Sequence, residues 1–261
     1  MAETILKGYH FEDGDRRVGS DNGLEFFEVS GRGYDQVNHL LAGGLGLLLS
    51  HYIRLGTFPI RILDAAGGVG SETALDLGNT FPDQVIVTNL DIAAATEGQL
   101  TPNVVASRVN LVETFPNVRD FDLVYSNQFL PWLHRDEQLS RTAMAITNIG
   151  RSLAIGGAAI LHELAFSGLD PRDSRLMALN LNLSSEGVYI LQRSAYGELI
   201  LGKEPSEPAL LLAAYNACQN LEKREMAIEE ETGVSRRTNL MKLDLLQYFQ
   251  RKLVSFTNKS E

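Results

Sequence analysis

A single cysteine, Cys218, stands among the 261 residues, so no disulfide can close within the chain and a cysteine-held zinc site lacks its ligands. Long apolar runs are missing too. The greasiest stretch, LLAGGLGLLL (40–49), is too short and too rich in glycine to cross a bilayer. The opening MAETILKGYHFEDGDRR has no apolar core of the kind a secretory signal needs, and the expected location is the cytoplasm. Positive charge is scarce: 23 Lys and Arg face 33 Asp and Glu, a net charge of −10, and no basic run offsets it. Long-range electrostatics therefore oppose binding to nucleic acid or to an anionic membrane, and neither is expected as a partner.

What is present is a rhythm of short apolar runs and helix-like segments. Residues 1–33 are polar and weakly patterned. Val37, Leu40, Leu41, Leu45, Leu48 and Tyr52 then recur at helical spacing, which predicts one amphipathic helix ending near Gly56. Strands are expected at 60–63, QVIVTNLD (84–91), within NVVASRVNL (103–111), at FDLVYSN (121–127) and at GAAILHEL (157–164). Helices are expected at 71–81 and 136–153, and the LMALNLNL segment reads as another. GVYILQRSAYGELILGKE (187–204) reads as an antiparallel hairpin turning at 195–198. A helix starting at Ser206 or Glu207 runs to about Glu231, and a second follows Ser235 with Met241, Leu245, Leu246, Phe249 and Leu253 on one stripe.

This alternation predicts an α/β fold: a doubly wound, mostly parallel seven-stranded sheet with a terminal antiparallel hairpin, plus N-terminal and C-terminal helical extensions. The expected division is 1–56 as N-terminal cap and helix, 57–204 as the ligand-binding domain, and 205–261 as a helical lid or homodimer surface.

The glycine cluster of RILDAAGGVGSETALDLG (61–78) follows the first strong strand, where a parallel sheet receives its ligand. A Walker phosphate loop needs Lys followed by Ser or Thr, whereas Gly70 is followed by Ser71 and Glu72. A dinucleotide fingerprint would run Gly68, Gly70, Thr73, with a β-branched residue at the close helix contact and Glu72 facing the pyrophosphate. S-adenosylmethionine (SAM) carries no phosphate. Its ribose calls for a carboxylate after the next strand, where Asp91 stands, and its cationic amine tolerates nearby acids.

At these residues the chain resembles the class I (Rossmann-like) SAM-dependent methyltransferases. ILDAAGGVG resembles their first motif, with Asp64, Gly68 and Gly70 matching and Ala66 where glycine is usual, as in the quinone-biosynthesis members. VTNLDI resembles the second, RVNLVETFPNVRDFDLVYSNQFL the third and fourth, and IGRSLAIGGAAILHE the turn and strand that follow, with Ile155 in place of proline. The resemblance implies SAM as cofactor and S-adenosylhomocysteine (SAH) as product. It implies backbone approach at Ala66, Gly68 and Gly70, Asp64 near the methionyl amine, and Asp91 with Ile92 at the ribose. Val109 and Asn110 would lie at the adenine edge, Asn127 near the sulfonium, and Tyr34 as an aromatic cover.

For catalysis the candidates are His134 in QFLPWLHRDEQ and His162 with Glu163 at the end of the fifth strand, because an alcohol or phenol acceptor benefits from a general base. The plant-type and polyketide O-methyltransferases place a histidine where alignment on Asp136 and Glu137 puts Trp132. HELAF lacks the second histidine of an H-E-x-x-H zinc site, so no metal is expected. SNQF lacks the prolines of the nucleobase-methylating members, and Phe129, Trp132 and Leu133 suggest apolar walls. The expected function is methylation, with O-methylation preferred, of a small apolar or aromatic metabolite. The alternatives are a SAM-bound enzyme of non-methylating chemistry, such as a rearrangement, cyclisation or elimination, and a non-catalytic cofactor-binding or assembly subunit.

Overall fold

The computed structural model describes residues 16–21, 24–28, 32–68, 70–92, 97–113, 119–127, 139–162, 166, 169–193, 198–204 and 206–232. Two short strands, β1 (Arg16–Asp21) and β2 (Leu24–Glu28), pair antiparallel as a separate two-stranded sheet within the segment that the sequence pattern left unassigned. The helix expected before the first core strand is two helices, α1 (Tyr34–Leu40) and α2 (Gly44–Leu55). The break has a local cause: Ala42 and Gly43 both take left-handed backbone, at φ 52° and 81°. It also has a tertiary one. A side chain at Gly44 would strike Ile160 and Leu212, so the start of α2 is held against the sheet and a later helix. Asn38 of α1 accepts the Gly46 N–H at 2.7 Å and so supplies the cap that Gly43 cannot.

The main sheet contains β3 (Ile60–Ala65), β4 (Val85–Asp91), β5 (Gly98–Thr101), β6 (Val104–Arg108), β7 (Phe121–Ser126), β8 (Leu153–His162), β9 (Val188–Arg193) and β10 (Glu198–Lys203). Their spatial order is β5-β6-β4-β3-β7-β8-β10-β9. Strands β6, β4, β3, β7 and β8 run parallel, and β10 inserts antiparallel between β8 and β9. The α/β class and the terminal hairpin are therefore as the sequence predicts, with eight strands rather than seven. The additional one is β5, a four-residue edge strand, GQLT, that folds back antiparallel on β6. It is largely exposed and has no apolar alternation, so nothing in its sequence pattern marks it. Strand β8 also starts earlier than expected, at Leu153. Gly157 allows this, because a Cβ there would meet the Phe121 carbonyl oxygen at 2.7 Å.

Helices α3 (Glu72–Thr80), α4 (Leu139–Ser152), α5 (Ser174–Ser184) and α6 (Glu207–Thr232) complete the described elements. Alternation along the strands separates two cores. Ile60, Ile62, Leu123, Ala158, Ile160 and Ile200 face α1, α2, α3 and α6. Leu63, Ala65, Val124, Ala159, Leu161 and Leu199 face α4 and α5. Ala209, Leu212 and Ala213 belong to the first core, so the opening turns of α6 are part of the main body. The helix expected after Ser235 lies outside the described residues. Among those described, no helix is long and apolar enough to cross a membrane.

Candidate functional site

The chain reverses between β3 and α3 through a loop with three left-handed residues: Ala66 at φ 66°, Gly68 at 88° and Ser71 at 57°. A side chain costs energy there, which explains why glycine suits the position of Ala66. Replacing Ala66 with glycine relieves about 1–2 kcal/mol of backbone strain and returns about 0.4–1 kcal/mol through a more flexible unfolded chain. Ala66→Gly is thus expected to stabilise the protein by up to about 1 kcal/mol, read as a higher denaturation midpoint. A lower midpoint would refute the strain.

Asn89 on β4, fully buried, holds this loop together. Its side-chain oxygen accepts the Gly67 N–H at 3.2 Å, and its amide donates to the Gly68 carbonyl oxygen at 3.2 Å and to Ser71 Oγ. Asp91, two residues on, accepts the Gly68 N–H at 2.9 Å. Gly67 is the glycine that close packing demands, because a Cβ there would run into the Asp64 carboxylate and Asn89. Gly68 meets nothing within 4 Å and is required by its φ. At Gly70 the obstacle would be the side chain of Glu72 alone. Asn89 and Gly67 are absent from the expected site set. The signal for Asn89 is a polar residue that follows the apolar run of β4 and shares a face with Val85 and Val87.

Strand register gathers the remaining groups. Asp64 lies opposite Asn89 on one side and Tyr125 on the other. Tyr125 lies opposite Ile160, and His162 opposite Glu198. Residues opposite one another share a face, so Asn89, Asp91, Asp64, Tyr125, His162 and Glu198 form a polar row. The row crosses the carboxyl ends of the parallel strands on the side covered by α1, α2, α3 and α6. Asn127, one residue past β7, continues it. Between β3 and β7 the chain changes direction across the sheet, which is where open α/β sheets bind ligands.

Asp64 is 2% exposed and its Oδ2 has no hydrogen-bond partner among the described residues. Burial pushes its carboxyl up to about 7. The neighbouring Tyr125 hydroxyl opposes the rise, without hydrogen-bonding geometry, while the charges of Asp91 and Glu72 add to it. Burial, with the Asp64 charge, raises the Tyr125 phenol well above its ordinary value. Burial lowers the pKa of His162 and the Glu198 charge offsets part of that fall. The side-chain oxygens of Ser126 and Asn127 and the Nδ1 of His162 are also buried without partners among the described residues. Such atoms are rare in folded interiors, and these three lie with Asp64 at the carboxyl ends of adjacent parallel strands.

The other expected site residues fall around this row. Ile92 is half-buried at the end of β4. The Val109 N–H donates to the Asp91 carbonyl oxygen at 3.2 Å, and its side chain borders the same core cluster as Ala66. Asn110 builds a local turn: its side-chain oxygen accepts the Val112 N–H and its amide donates to Glu113. Tyr34 is not brought to the row. Its ring packs edge-on against Phe81, 6.1 Å away, at the far end of α3 from the glycine loop, and its backbone N–H donates to Asp76. An apolar neighbour at that end captures the ring. His134 and Glu163 lie outside the described residues, as do Phe129, Trp132 and Leu133. His162 is partnered across the sheet by Glu198, which the sequence reading passed over because it stands far along the chain.

No family model and no curated protein matches the chain. Solved structures similar to it include a TehB-like SAM-dependent methyltransferase from Corynebacterium glutamicum, at 19% identity and a TM-score of 0.40, over 66% of this chain and 96% of that one. Magnesium protoporphyrin IX methyltransferase from Synechocystis, with bound SAM, is similar at 16% identity and a TM-score of 0.41, over 64% and 80% of the two chains. The sugar N-methyltransferase KedS8 from Streptoalloteichus is similar at 13% identity and a TM-score of 0.43, over 75% and 99%.

Proposed function

We propose that the protein is a SAM-dependent methyltransferase acting on a small molecule. The observation that carries this reading is the pairing of a pinned, left-handed glycine loop with two carboxylates, Asp64 and Asp91, at the strand-order switch. Acids at such a loop repel a diphosphate and suit a ligand with a cationic end. The orphaned Asp64 Oδ2 is a buried acceptor awaiting a donor, which an ammonium group supplies. In this reading Asp91 holds the ribose, the backbone of Ala66, Gly67 and Gly68 lies along the ligand, and Asp64 receives the amine of the methionyl tail.

When bound, SAM supplies a methyl carbon made electrophilic by its sulfonium. The protein's part is then positioning: acceptor and methyl carbon must be held about 3–3.5 Å apart and in line. His162 at the neighbouring strand end is within the same row and can take a proton from the acceptor. The finer expectations of an apolar acceptor and of O-methylation rest on Phe129, Trp132, Leu133, His134 and Glu163, which lie outside the described residues, and on His162 and the LMALNLNL helix, which are described.

Titration calorimetry with SAM and with SAH tests the assignment. Both are expected to bind, and Asp91→Ala, which removes a charged hydrogen-bond acceptor, is expected to weaken each by about tenfold or more. Absence of binding by the native protein would remove the proposal.

A further inference from the structure

Beyond the loop and carboxylates assigned to the cofactor, the polar row ends in three groups: Asn127, expected beside the sulfonium, His162 and Glu198. A fourth comes from α6. Leu212 and Ile160 both close on Gly44, and α6 and β8 run from there toward the same edge of the sheet. His162 is two residues beyond Ile160, and Asn216 is one helical turn beyond Leu212. These steps are about 6–7 Å each, so the two side chains stand at one level. Asn216 is 3% exposed, and both its amide oxygen and its amide nitrogen lack partners among the described residues. A buried amide with four hydrogen-bonding positions open is costly unless something occupies it.

We infer that Asn127, His162, Glu198 and Asn216 form the acceptor subsite and that it takes an amine. The inference rests on the methyltransferase reading and specifies its substrate class. The subsite sets the Glu198 carboxylate beside the His162 ring and two side-chain amides, so its one full charge is negative. Glu198 is 6% exposed and lies directly across from His162, about 5 Å between Cβ atoms. With Asp64 and Asp91 on the same row, the field favours a cationic amine over a neutral hydroxyl.

The step balances within the site. The nitrogen lone pair forms the N–C bond to the methyl carbon as the S–C bond breaks, and that electron pair stays on sulfur, leaving a neutral thioether. The amine enters as an ammonium, so one proton first passes to His162 to free that lone pair, Glu198 neutralises the imidazolium, and the methylated product leaves as an ammonium. Burial keeps His162 neutral beforehand and so able to accept the proton.

The test uses the full chain saturated with SAH, so that an added amine cannot occupy the place of the methionyl tail at Asp64. Matched probes are ethylamine and ethanol, cyclohexylamine and cyclohexanol, and benzylamine and benzyl alcohol, with the His162 ring signals followed by NMR and assigned through His162→Gln. At least one amine is expected to shift those signals at about tenfold lower concentration than its alcohol. Glu198→Gln and Asn216→Leu should each raise the amine concentration required by about tenfold while SAH affinity holds and the melting temperature does not fall. Alcohols matching their amines, no amine reaching His162, or variants that bind amine as the native protein does would each overturn the inference. If either variant fails to fold, the probe comparison on native protein decides alone. Failure of SAH to bind the native protein would instead remove the methyltransferase reading beneath it.

Discussion

Asp64→Asn is expected to make the ligand-free protein more stable at pH 8, by about 2 kcal/mol, although it removes an acid from the centre of the site. The folded protein keeps a proton on Asp64 up to about pH 7, whereas the unfolded chain loses it near the ordinary value of 3.8. Between those values the folded state binds more protons, so stability falls as pH rises through the window and is lowest above about 7. The full span corresponds to about 4 kcal/mol. Asparagine recovers only part of it, because its own buried amide needs a partner. The variant should be flat across the same window in chemical denaturation, and its Tm at pH 8 should rise by about 4–8 °C.

SAM should show the opposite dependence. Its ammonium favours ionised Asp64, so affinity rises with pH through about 7, and Asp64→Asn loses about tenfold or more. A variant less stable than the native protein at pH 8, or binding SAM equally well, would show that Asp64 is structural. The residue thus trades stability for a binding charge, the pattern of a functional rather than a packing position.

Asn89→Leu is expected to destabilise the protein by about 3 kcal/mol, with a fall in Tm of about 6–12 °C. Leucine fills similar volume, so the loss measures the polar contacts. The Gly67 N–H, the Gly68 carbonyl oxygen and Ser71 Oγ each lose a partner in a half-buried or buried setting. Without Asn89, the loop is joined to β4 through the Ala66 N–H on the Leu90 carbonyl oxygen and the Gly68 N–H on Asp91. Affinity for SAM should therefore fall with stability, by about tenfold, because the ligand must then order the loop itself. Thermal melts and calorimetry read the two effects. Native-like SAM affinity in a destabilised variant would separate loop order from binding.

Much of the fold was legible in the sequence because it rests on local rules. Apolar runs of strand length alternating with helical stripes place β3, β4, β6, β7, β8 and the β9–β10 hairpin within a few residues. Glycine spacing locates the loop, and Asp64 and Asp91 fall on the row that the structure assembles. The misses are places where local pattern is weak or a packing contact outweighs it. The single helix before β3 breaks at left-handed Ala42 and Gly43, with Gly44 packed toward Ile160 and Leu212, and β1, β2 and β5 carry little apolar alternation to mark them.

By itself, then, the sequence determined the class of fold, the position of the ligand loop and the sign of its charge, since periodicity, turn chemistry and net charge are carried by neighbours along the chain. Only the tertiary structure decided which residues work together. Asn89 clamps the loop from the next strand, Glu198 lies opposite His162 on the last strand of the sheet, and Asn216 is buried on the helix that follows it. Strand register and helix packing bring these groups together across long stretches of chain, and no spacing rule along the sequence encodes such distances.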